Sequence, residues 1–157
     1  MTQTIRTINK NDLKVLAKIY SQAYNSLDVG ENWSTEASYK LLDYLLNRKP
    51  SIAFLAESDN KIIGGIIAAV KPWWDGNHLV DGEFFVNPQH QGKGIGKKLM
   101  LKLCETAIKE YNITCLDATT FRNKNFPLNW YKSLGFREVK EWVIISANPK
   151  EILESLK

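Results

Sequence analysis

Three glycines stand at alternate positions in Gln91-Gly92-Lys93-Gly94-Ile95-Gly96, directly ahead of Lys97-Lys98. An aromatic and β-branched run, Phe84-Phe85-Val86, ends just upstream at Asn87-Pro88, and a helical period of apolar residues starts at Ile95. This order predicts strand, glycine-rich turn and helix. A helix opened by glycines offers unpaired N–H groups on an unobstructed surface, and the positive end of its dipole faces the turn. Such a turn suits a phosphate. Lys97 and Lys98 fall in the first helical turn, where the dipole disfavours positive charge, and a bound anion would compensate them. The alternative is a solvated face shared with Lys102, Glu105 and Lys109.

Two familiar phosphate fingerprints fail by counting. Starting G-x-G-x-x-G at Gly92 puts Lys97 where the last glycine belongs. Aligning G-x-x-x-x-G-K-[ST] on Gly96-Lys97 puts Gln91 at its first glycine and Lys98 at its hydroxyl. The motif that stands here is Gln91-x-x-Gly94-x-Gly96, preceded by Val86-x-Pro88.

The elements that must hold this loop are legible from periodicity and punctuation. Residues 4–8 predict a first strand, and from about Asp12 a helix carries Leu13, Leu16, Ala17, Tyr20 and Tyr24 on one face. After a loop over residues 27–33, Ser34 or Thr35 caps a second helix with Ala37, Leu41, Leu42, Leu45 and Leu46, ended by Pro50. Residues 51–57 and 62–70 form a hairpin through Ser58-Asp59-Asn60-Lys61, with Gly64-Gly65 as a candidate bulge. A second hairpin turns near Asp75-Gly76-Asn77 into a fourth strand over residues 79–86, and the long helix then runs to about Tyr111. Residues 113–120 are a strand and 126–134 a short helix, with Pro127 in its opening turn and Gly135 past its end. Residues 136–146 return as strand, and Asn148-Pro149 starts a final helix with Ile152, Leu153 and Leu156. The order β-α-α-β-β-β-α-β-α-β-α predicts one mixed α/β (α+β) domain over residues 1–157, its sheet covered by helices, with a right-handed crossover after the fourth strand.

Composition narrows the function classes. The 157 residues are 44% apolar and 24% charged, ordinary values for a folded domain. A net charge of +4 is spread among acidic residues, which assists capture of an anionic ligand but lacks the dense stripe of a nucleic-acid platform. No apolar run approaches the roughly eighteen residues of a membrane span, which implies a cytoplasmic protein with no membrane partner. Cys104 and Cys115 with His78 and His90 show no ligand spacing, so neither a disulfide framework nor a metal site is expected.

The loop Gln91-x-x-Gly94-x-Gly96 resembles the acyl-CoA pyrophosphate loop of the GNAT superfamily of N-acyltransferases. Tyr131-Lys132-Ser133-Leu134-Gly135-Phe136 is similar to the superfamily's Tyr-x-x-x-Gly-Phe, and the resemblance extends over residues 4–147. It implies a mostly antiparallel twisted sheet with helices on both faces and a splay between the fourth and fifth strands. It also implies acetyl-CoA as co-substrate. Phe85 and Val86 would bond the pantetheine arm and offer an oxyanion donor, while Gln91, Gly92, Lys93, Gly94, Ile95, Gly96 and Lys97 would hold the phosphates. Tyr131 would stabilise or protonate the leaving thiolate. The superfamily's pantetheine asparagine falls on Lys124, so Asn123 or Asn125 is the cofactor candidate, with a loop or cap role as the alternative.

The acceptor half follows from chemistry. An amine with a lysine-like pKa is neutral in roughly one molecule in a few thousand at pH 7, so attack on a thioester needs a base. Glu83 and Asp81 are the nearest carboxylates, sharing a strand face unless a bulge intervenes, and Glu83 is preferred. Trp33 and Trp74, with Asp81, are candidate contacts for a small cationic amine. Residues 31–37 also resemble a segment of aminoglycoside N-acetyltransferase relatives. A protein or peptide acceptor and a non-catalytic acyl-CoA sensor are the alternative readings, and a homodimer is left open.

Overall fold

The computed structural model describes residues 3–157, which divide into two compact units, one ending at Thr119 and the other spanning Thr120–Lys157. The first unit holds a five-stranded sheet in the order β1 (Gln3–Thr7), β2 (Ser51–Ser58), β3 (Lys61–Trp73), β4 (Gly76–Val86), β5 (Ile113–Leu116). Neighbours are antiparallel except β4 and β5, whose parallel pairing requires the crossover helix α3 (Ile95–Tyr111) between them.

Helices cover both faces. Helices α1 (Leu13–Asn25) and α2 (Thr35–Asn47) bury Leu13, Leu16, Tyr20, Leu42 and Leu45 with Leu55, Ile67 and Phe85 of the sheet. Helix α3 buries Ile95, Leu99, Met100, Leu103 and Ala107, and its Lys102 ammonium lies over the Phe54 ring of β2. The interior β2 is therefore apolar along nearly its whole length, with no alternation. Arg6 of β1 holds the chain before α1 through two bonds to Asp12, 2.8 and 2.9 Å, and is tied to β2 by two to Glu57, 2.8 and 3.1 Å. Ser34 is the cap of α2, its hydroxyl accepting the Ala37 N–H.

Two irregularities set the geometry around β4. The β2–β3 hairpin turns on Asp59-Asn60, both at positive φ, and the extra residue in its ladder is Ile63, just ahead of Gly64-Gly65. A Cβ on Gly64 would stand 2.6 Å from the Phe85 carbonyl oxygen, so these glycines allow β4 its close approach. In the β3–β4 ladder Ile67 faces Glu83 but Ala69 faces Val80, so Asp81-Gly82 bulges opposite Ala68, with Asp81 at φ 49°.

The second unit contains α4 (Asn125–Ser133) and α5 (Pro149–Ser155). Gly135 at φ 99° ends α4 in a Schellman motif, with Gly135 N–H bonded to the Lys132 carbonyl and Phe136 N–H to that of Tyr131. The turn brings the Phe136 ring to 5.0 Å from that of Tyr131, which gives Tyr-x-x-x-Gly-Phe a structural reason. The expected strand over residues 136–146 is not formed: Val143, Ile144 and Ile145 are exposed and no ladder includes them among the described residues. β-branched residues favour extended backbone, but a strand exists only where a partner completes its hydrogen bonds.

Candidate active site

Among the described residues, the C-terminal half of β4 has a ladder partner on its β3 side only. Strand β5 pairs with β4 only at Asn77, His78 and Leu79, and the last bond of that ladder runs from the Asp117 N–H to the Leu79 carbonyl at 2.9 Å. Beyond it no further pairing joins the two strands, in line with the splay that the family resemblance implies. On the β3 side, the Asn87 N–H bonds the Ile63 carbonyl at 2.8 Å and the Phe85 carbonyl points at β3. Antiparallel alternation then turns Val86 outward. The expectation that Phe85 and Val86 both serve the open edge is corrected: the Phe85 peptide groups belong to the β3 ladder, and its ring packs edge-on against Tyr20 at 5.2 Å. The Val86 carbonyl accepts the Gln91 side-chain amide at 3.0 Å, which ties the glycine loop to the strand end and leaves the Val86 N–H facing the splay.

The loop itself is an open cradle. Gly92 and Gly94 have φ of 72° and 77°, and nothing lies within 4 Å of where a Cβ would stand on either. Gly94 caps α3 without a side-chain bond, and the first helical bond is Lys98 N–H to the Gly94 carbonyl, so the N–H groups of Ile95, Gly96 and Lys97 are first-turn donors. Lys93 bonds the Gln89 carbonyl at 3.1 Å and Lys98 the Gln3 amide oxygen at 2.6 Å, both within the unit, while Lys97 is exposed at the helix start. First-turn donors, the helix dipole and the Lys97 charge give this turn the chemistry of an anion-binding surface.

Glu83 sits on β4 before Val86 and is half-buried beneath α1. Its Oε2 accepts from the Tyr20 hydroxyl at 3.0 Å and from the Tyr24 hydroxyl at 2.5 Å. The two phenol rings stack with centroids 4.2 Å apart, and the Trp33 ring meets Tyr20 edge-on at 5.2 Å. The Trp33 indole N–H donates to Glu31 at 2.6 Å, which brings a second carboxylate to the aromatic group. Burial raises the Glu83 pKa above the ordinary carboxylate value, the phenol bonds oppose this, and the Glu31 charge adds to the rise. Burial together with the Glu83 charge pushes the Tyr20 phenol up, so it stays a donor.

The structure thus gathers Glu83 and Trp33, and separates Asp81 and Trp74 from them. The bulge breaks the alternation on which a shared face depended, and Asp81 bonds Arg48 at 2.6 Å with its side chain 63% exposed. Trp74 is 88% exposed in the β3–β4 turn, at the other end of β4 from Glu83. Tyr20 and Tyr24 were visible in sequence only as apolar-face residues of a helix, and their hydroxyls become site groups because α1 crosses β4 at Glu83. In the second unit, Tyr131 lies between Trp130 and Phe136, 5.2 and 5.0 Å from their rings. Asn125 is the first residue of α4, Lys124 its N-cap without a side-chain bond, and Asn123 precedes them in a turn.

Residues 13–136 match the acetyltransferase (GNAT) family. The chain belongs to this family. The chain is 29% identical over 149 residues to an uncharacterized N-acetyltransferase of Methanocaldococcus jannaschii, covering 90% of this chain and 65% of that protein. It is 26% identical over 137 residues to the L-amino acid N-acyltransferase of Escherichia coli, covering 85% of this chain and 78% of the relative. The match therefore spans just under two thirds of the archaeal protein's length. Among solved structures the GNAT fold is shared with the aminoglycoside acetyltransferase AAC(6')-Iy, bound to the bisubstrate analogue CoA-S-monomethyl-acetylneamine, at TM-score 0.68 and 18% identity over 94% of this chain and 99% of that one. GNAT acetyltransferases use acetyl-CoA, and the mixed α/β fold class expected from the sequence is found, without the expected strand over residues 136–146.

Proposed function

We propose that this chain transfers an acetyl group from acetyl-CoA to the primary amine of a small cationic acceptor, by direct attack of the amine on the thioester. The observation that carries this reading is Glu83, a half-buried carboxylate bonded by Tyr20 and Tyr24, whose rings contact Trp33, on the same strand as Val86. Bound acetyl-CoA would supply an electrophilic thioester carbonyl and a thiolate leaving group. Both phenols converge on Glu83 Oε2, which leaves Oε1 to take the proton that the amine loses as its nitrogen bonds the acetyl carbon. A pKa raised by burial brings this carboxylate closer to the working pH and makes it a stronger base. Aromatic faces with two carboxylates attract a cationic acceptor, and the E. coli relative's name likewise points to a small amine substrate.

The Val86 N–H at the splayed edge is the donor for the carbonyl oxygen as charge develops there. Gly92, Lys93 and Gly94 shape the phosphate cradle, whose donors are the Ile95, Gly96 and Lys97 amides with the Lys97 ammonium. By the family resemblance, the Tyr131 hydroxyl would serve the leaving thiolate and Asn123 or Asn125 the pantetheine arm.

The test is acceptor-dependent thiol release from acetyl-CoA across a panel of small amines, amino acids and peptides. Release with small cationic amines and an N-acetylated product by mass spectrometry is the expected result. Release with peptides alone would replace the acceptor class, and tight CoA binding with no release from any acceptor would make the chain an acyl-CoA sensor.

A further inference from the structure

Where β4 and β5 are still paired, three different metal-ligating side chains converge. We propose that His78, Cys115 and Asp117 bind a zinc-class divalent transition metal, which clamps the two strands at the point where they part. The three donor atoms lie within 4.8 Å of one another, although His78 is in β4 and Cys115 and Asp117 are in and just past β5, with α3 between them in sequence. The ladder brings them together: His78 faces Cys115 in the register, and Asp117 follows as its N–H bonds the Leu79 carbonyl.

The second observation is the far side of the imidazole. His78 is only 7% exposed, its Nδ1 lies 2.8 Å from Asp117 Oδ2, and its Nε2 lies 2.9 Å from Asp75 Oδ1. A carboxylate on the non-ligating nitrogen is the outer-shell partner that fixes the tautomer and orientation of a metal-bound histidine. A nitrogen, a thiolate and a carboxylate make a borderline-soft set that suits zinc and not calcium or magnesium.

The geometry is close to what such an ion needs. Tetrahedral bonds of about 2.0–2.3 Å place donors roughly 3.3–3.8 Å apart. Cys115 Sγ and Asp117 Oδ1 are 3.5 Å apart, the other donors lie within 4.8 Å, and the Asp117 side chain, 53% exposed, has room to adjust around an ion. On binding, the Cys115 thiol gives its proton to solvent and the ring keeps only the Nε2 proton, donated to Asp75, so metal uptake releases protons.

Cobalt(II) titration of the full chain tests this, because a tetrahedral site with a thiolate gives visible ligand-field bands and a near-ultraviolet sulfur-to-cobalt charge-transfer band. The expected result is one equivalent of cobalt, displaced by zinc, with the charge-transfer band lost in Cys115→Ser and kept in Cys104→Ser. Asp75→Asn, which removes no ligand and does not depend on the thiol, should weaken affinity by about 10–100-fold. No charge-transfer band, a band that survives Cys115→Ser, or several weak equivalents indifferent to Asp75→Asn would overturn the proposal.

Discussion

The two ends of β4 are one strand with opposite fates. Its first residues are hydrogen-bonded on both edges, to β3 and β5, and His78 there is buried between two aspartates. Its last residues keep β3 on one side and nothing from β5 on the other, and the chain then enters a glycine loop that carries no side-chain cap. Unpaired backbone at a sheet edge is normally blunted by charge, proline or a cover. Here it lies beside a half-buried carboxylate and a helix start rich in donors, and the proposed acetyl-CoA site is built on that end.

This contrast can be broken at identified positions. The largest effect is expected from Glu83→Gln, which should lower kcat/KM about 10²–10⁴-fold in steady-state kinetics without unfolding the protein. Asp81→Asn, on the same strand but paired with Arg48 outside the aromatic group, should stay within about twofold of the parent by the same assay. Exchanging Lys97 and Lys98 together for glutamate should raise the CoA dissociation constant about 10–100-fold by calorimetry, with the melting curve nearly unchanged because acidic residues suit a helix start. Gly64→Ala should cost about 1–3 kcal/mol of stability by denaturant titration, since its Cβ would press on the Phe85 carbonyl and displace β4. The smallest effect is a shift: Tyr24→Phe removes a bond that favours the charged carboxylate, so the acidic limb of the kcat/KM profile should move to higher pH.

How much of this was legible in the sequence differs between the same two ends. Glycine spacing after a β-branched run specifies local backbone, so the loop, the start of α3 at Ile95 and the splay implied by the family resemblance all appear in the structure. The bulge at Asp81-Gly82 depends on how β4 seats against β3, and two carboxylates that seemed to share a face ended with different partners. Tyr20 and Tyr24 looked like core aromatics because helical periodicity reports the face of a side chain and not where its hydroxyl ends. His78, Cys115 and Asp117 show no ligand spacing because the ladder, and not the chain, makes them neighbours. Residues 136–146 carry a strand's composition, but composition supplies no partner strand.

Glu83 as the base is the claim on which the acetyl-transfer account turns, and the pH dependence of kcat/KM, parent against Glu83→Gln, tests it most directly. A base must be deprotonated to act, so the parent rate should rise through an apparent pKa above the ordinary glutamate value, and the variant should lose both the rate and that limb. A variant that keeps the same limb at an undiminished rate would contradict the assignment.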